Sequence, residues 1–158
     1  DDVRPTLDRF APPNSQVGVA INATVTMIFD ESVLPTNDSF LTLLQLGGDW
    51  DGGVKGVADE VIAKIPLQGD RVVFGDDGKN VTVDFGGIID TFVLYSFFVS
   101  AGAIADAAGN PWVGIKVGLY NFRTTSRVFA IAGASAEDHL ERYIALCVGG
   151  VVAAACVV

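Results

Sequence analysis

Between residues 17 and 29 the chain reads VGVAINATVTMIF. From Ala23 onward apolar and polar positions alternate, with Ala23, Val25, Met27 and Phe29 on one face and Thr24 and Thr26 on the other. That is the two-residue period of a half-buried strand. Short apolar, β-branched or aromatic runs recur at residues 40–46, 61–67, 71–74, 81–85, 92–99 and 112–122, separated by Gly-, Asp-, Asn- or Pro-bearing segments. Gly75-Asp76-Asp77-Gly78-Lys79-Asn80 reads as the loop of a hairpin. The run at 92–99 is apolar at nearly every position, as suits a central strand. Residues 3–10 are a short mix that ends at Pro12-Pro13-Asn14, a turn that also blunts a sheet edge.

The other segments are arranged around the stretch 101–125. In it Asp106, Gly109, Asn110 and Pro111 form a turn between two β-rich runs, which predicts a final hairpin. An Asp side chain accepts from backbone N–H groups two or three residues on, and glycine takes the left-handed conformation such turns need. Proline has no N–H and suits the first position of a strand. About seven short strands with turn signals between them predict an all-β fold, two antiparallel sheets packed face to face.

Four ordered segments carry a family resemblance. Phe10-Ala11-Pro12-Pro13-Asn14-Ser15-Gln16-Val17-Gly18-Val19, followed by Ile28-Phe29-Asp30-Glu31-Ser32-Val33, resembles the opening of bacterial Ig-like domains of the SbsA type. Asp76-Asp77-Gly78-Lys79-Asn80-Val81-Thr82-Val83 is similar to that family's mid-domain hairpin. Asp106-Ala107-Ala108-Gly109-Asn110 resembles its late turn, and Phe122-Arg123-Thr124-Thr125 its closing strand. Ser15, Asp30 and Gly86-Gly87-Ile88-Ile89 depart from the usual pattern. The resemblance implies an Ig-like sandwich over residues 1–126 and a non-catalytic module of cell-surface, S-layer and adhesive proteins.

Composition narrows the partners. Net charge is −9 and the isoelectric point lies near 4.3. Such a surface repels a phosphate backbone, so nucleic acid is excluded as a partner. Asp1-Asp2-Val3-Arg4-Pro5 reads as a mature terminus left by processing, or as the edge of an excised segment.

After Ser126 the character changes. Residues 127–142 form a juxtamembrane linker or short helix, with an N-cap offered by Ser135-Ala136-Glu137-Asp138. Residues 143–158, YIALCVGGVVAAACVV, carry no charge. As a helix they span ~24 Å, against the ~30 Å of a hydrocarbon core. A buried core segment and a glycolipid-anchor signal beginning near Gly133-Ala134-Ser135 are alternatives; a membrane-spanning helix, truncated here, is the favoured reading. On it Ala145, Gly149 and Ala153 repeat every fourth position beside Gly150 and Ala154. Small residues on one face let a partner helix approach closely in lipid. Cys147 and Cys156 face opposite sides of such a helix and cannot bridge within it.

Acidic loops invite a calcium reading at Asp49 with Asp51, Asp76 with Asp77, and Asp106 with Asn110. Calcium takes about six to eight converging oxygens, and none of these loops has the spacing of an EF-hand, so solvated turn residues are the stronger reading. His139 is the one histidine and makes no His-based metal site alone. The sequence offers no nucleophile motif and no phosphate-cradling loop, and it implies no cofactor. Asn22, Asn37 and Asn80 each begin an Asn-x-Ser/Thr sequon and would accept glycans in a eukaryotic secretory pathway. Trp50 and Trp112 would either anchor a partner or cap the sandwich core.

The resulting expectation is a non-enzymatic, membrane-anchored accessory subunit of a membrane complex. Its globular domain would lie outside the cytoplasm, at the cell surface or in an organelle lumen. It would meet the membrane and neighbouring subunits through the terminal helix and the sandwich surface. A cell-surface adhesion or glycan-binding module is the alternative.

Overall fold

The computed structural model of the 158-residue chain describes residues 3–47 and 58–125. The strands are β1 (Leu7–Ala11), β2 (Gln16–Val19), β3 (Thr24–Phe29), β4 (Val33–Pro35), β5 (Phe40–Gln45), β6 (Glu60–Pro66), β7 (Val72–Phe74), β8 (Asn80–Asp84), β9 (Leu94–Val99), β10 (Ile104–Asp106) and β11 (Asn121–Thr124). They form a four-stranded sheet in the order β1-β3-β8-β7, a five-stranded sheet in the order β2-β11-β9-β5-β6, and a two-stranded ribbon of β10 and β4. Every pairing is antiparallel except that of β11 with β2.

The alternation read from the sequence sets which faces are buried. Val25, Met27 and Phe29 of β3 point inward, and Val81 and Val83 of β8 join them from the same sheet. Opposite lie Leu41 and Leu43 of β5, Tyr95, Phe97 and Val99 of β9, and Phe122 of β11. Phe85, just past β8, closes the gap between layers, with its ring centroid 6.2 Å from Phe97 and 6.0 Å from Phe122. Phe10 reaches in from β1 to lie 4.1 Å from Tyr120. Burying large side chains from both inner faces contributes about 1.5–3 kcal/mol for each, the dominant stabilisation in a sandwich.

Buried polar groups are matched. Ser96 Oγ donates to Tyr120 O at 2.7 Å and accepts from Gly118 N at 3.0 Å. Thr124 Oγ1 donates to Asp90 O at 2.6 Å and accepts from Val93 N at 3.0 Å. Among the described residues no buried side-chain nitrogen or oxygen lacks a partner, as burial requires. Burial pushes the Tyr95 and Tyr120 hydroxyls above the usual phenol range, and the Tyr120 hydroxyl donates to Pro12 O at 3.0 Å.

Three expectations change. The apolar stretch 17–29 is two strands, β2 and β3, in different sheets. A turn closed by Ala23 N donating to Ala20 O at 3.0 Å redirects the chain between them. The run at 92–99 begins as a strand only at Leu94, because Phe92 sits at φ 61° and is 70% exposed. The final hairpin is also shorter than predicted. β10 pairs with β4, and β11 pairs with β9 and β2. Pro111 makes only an isolated bridge to Ala105, and Gly114 and Gly118, at φ 79° and 81°, break the run 112–122 before β11 starts.

No helix among the described residues is long and apolar enough to cross a membrane. The linker 127–142, the terminal segment 143–158, His139 and the small-residue face of Ala145, Gly149, Gly150, Ala153 and Ala154 lie outside the described residues.

Candidate functional site

Of the carboxylates proposed for calcium, Asp49 and Asp51 lie outside the described residues, as does Trp50. Asp77 is occupied by its own loop: its Oδ1 accepts from Lys79 N at 2.9 Å and from Asn80 Nδ2 at 3.3 Å. Asp76 is exposed beside it. Val33 N donates to Gly78 O at 3.0 Å, and Val33 is also the residue that pairs with Asp106, so both acidic turns flank one strand. Even so, no three His, Cys, Asp or Glu side chains come together as a metal-holding group among the described residues.

Asp106 is buried and its carboxylate is engaged. Oδ1 accepts from Asn110 N at 2.7 Å and Oδ2 from Asn110 Nδ2 at 2.8 Å. The Asn110 side-chain amide, then the backbone N–H groups of the same turn, hold this carboxyl below the usual carboxylate range against the opposing effect of desolvation. The residues singled out as a turn therefore form one, closed by its own acid.

The sequons separate by environment. Asn22 and Asn37 are exposed in turns. Asn80 begins β8, and its Nδ2 is already shared between both Asp77 carboxylate oxygens at 3.3 Å. A glycan there would displace the contact that closes the hairpin loop.

Trp112 caps the core. It is 2% exposed, with its ring edge-on to Phe29 at 5.1 Å between centroids. Its burial rules out Trp112 as a partner anchor and turns the neighbouring side chains outward. Ile115 is bridged to Val99 and buried, so Val113, 66% exposed, points away from the core. Leu119, 62% exposed, follows the turn at Gly118. Between this segment and the N-terminal stretch 4–7 lies a groove of about 350 Å³, lined by Pro5, Leu7, Phe10, Trp112, Val113 and Leu119, with Arg4 at its lip. A second concavity continues past Arg4 to Ala101 and Gly102. Sequence reasoning placed Val113, Val117 and Leu119 in a strand and missed this patch; the usable signal was Pro111, Gly114 and Gly118 interrupting an otherwise apolar run.

Two sheets packed on a shared aromatic core, with one parallel edge pairing, define a β-sandwich of the immunoglobulin type. The family described as Bacterial Ig-like domain matches residues 1–124. The chain belongs to that family. Among solved structures, CopC from Methylosinus trichosporium OB3b is similar at 17% identity, over 77% of this chain and 93% of that one, with a TM-score of 0.46. No curated protein matches the chain.

Proposed function

We propose that this Ig-like domain is a non-enzymatic interaction module, an accessory subunit held beside its partners in a membrane assembly and facing away from the cytoplasm. The observation that carries the reading is the apolar groove with its exposed rim, Val113 and Leu119. Large side chains clustered at one concave place mark an interaction site, whereas scattered ones do not. The occupant is an apolar segment of a neighbouring subunit with a carboxylate to meet Arg4. An acidic chain that places a guanidinium on the lip of an apolar groove selects that charge over a basic segment. The uncharged sequence 143–158 supports membrane attachment, and the family supports an address outside the cytoplasm.

The test is the double variant Val113→Asp with Leu119→Asp. Both sites are exposed, so the folding free energy stays within about ±0.5 kcal/mol of the wild type, as surface substitutions give. The variant is expected to lose the proteins that co-purify with the wild-type chain from detergent extracts. Undiminished co-purification would refute the groove as the docking site.

A further inference from the structure

A separate concavity lies on the outer face of the five-stranded sheet, away from the groove beside Arg4, and its chemistry differs. It encloses about 360 Å³ between the β4–β5 turn, the outer positions of β5, β6 and β9, and the turn at 100–103. Leu41 and Leu43 of β5 point into the core, so Phe40 and Thr42 point out; on β9 Val99 points in and Phe98 out. Thr42 pairs with Phe98 on one side and Lys64 on the other. Phe40, two residues along β5, therefore stands diagonal to Phe98 on the same face, within reach of one ligand ring. Phe40 is 44% exposed.

The polar half of the cleft is held in place. Thr36 Oγ1 donates to Gly102 O at 2.9 Å and Ser39 Oγ donates to Thr36 O at 2.7 Å. Thr36 N donates to Ala103 O at 3.0 Å. Between these anchors Asp38 sits at φ 54°, a conformation non-glycine residues seldom adopt outside functional or tightly determined turns. The side chains of Asn37, Asp38, Lys64 and Ser100 line the cleft, and none has a hydrogen-bond partner within the described protein.

We infer that this cleft binds a neutral pyranose glycan. Two aromatic rings on one flat face suit the apolar C–H face of a sugar ring. A carboxylate, an amide, an ammonium and a hydroxyl around it supply both donors and acceptors for sugar hydroxyls. Charge selects the class: an anionic ligand meets Asp38, a cationic one meets Lys64, and an uncharged polyhydroxylated one satisfies both. The site is separate from the apolar groove, which it approaches only at Ala101 and Gly102.

The test uses the 158-residue chain, produced in cells that leave Asn37 unmodified, titrated with cellotetraose, mannotetraose and chitotetraose by calorimetry and saturation-transfer NMR. At least one binds with a dissociation constant of about 1 mM or tighter, and Phe40→Ala weakens it at least roughly tenfold. Asp38→Gly, which suits the positive φ and removes the carboxylate, weakens it similarly. Val113→Asp with Leu119→Asp leaves it unchanged, so failure here and failure of the groove are told apart. No binding by any of the three sugars, or equal binding by the Phe40 and Asp38 variants, overturns the inference.

Discussion

Asp106 shows how much a single side chain can do within its own turn. Its carboxylate accepts from the peptide N–H and the side-chain amide of the same residue, Asn110, and those bonds keep it ionised. A carboxyl held below its ordinary range releases its proton more readily in the folded chain than in the unfolded one. Its contribution to stability is therefore complete above the unfolded value, about pH 4, and is lost as pH falls through the depressed folded value. Asp106→Asn has no such proton to take up. Thermal melts at pH 7, 5 and 3 are expected to show a steeper loss below pH 4 for the wild-type chain than for the variant, although the variant starts lower at pH 7. Parallel curves would remove Asp106 as the source of acid sensitivity.

The segment 112–119 depends on one glycine to keep its place. At Gly114, φ is 79°, and an added Cβ would overlap Val99 O and lie 2.8 Å from Ala101 N. Val99 and Ile115 bridge there in both directions, at 3.0 and 2.9 Å. Gly114→Ala is expected to cost about 2–4 kcal/mol in denaturant unfolding. Gly87→Ala, at φ 75° with nothing within 4 Å, should cost only the backbone term, about 1–2 kcal/mol. Equal losses would show that backbone conformation alone, not the close approach, governs the site. The strands were legible where one face is buried. Val25, Met27 and Phe29 alternate in sequence and in space, and the hairpin over 75–80 joins β7 to β8 as its loop chemistry predicts. What could not be read was which sheet a strand enters. Residues 17–21 are apolar at both parities, and so is 112–122, so periodicity marks neither the crossing from β2 to β3 nor the outward turn of Val113 and Leu119. The cleft was equally hidden, since Phe40, Asp38 and Phe98 meet only through the pairing of β5 with β9.

Among the described residues every buried side-chain polar atom is matched, and the outside of the acidic domain carries an apolar groove and a polar cleft near the turn at 101–102. On the function proposed above, the exposed apolar groove is the surface through which the domain would associate. The account rests on that association, and the size of the native particle measures it directly. Wild-type chain extracted from membranes in mild detergent is expected to migrate, by size exclusion with light scattering, inside a particle several times its own 16.6 kDa protein mass. A particle containing a single copy of the chain and nothing else, at protein concentrations well above those in the membrane, would contradict it.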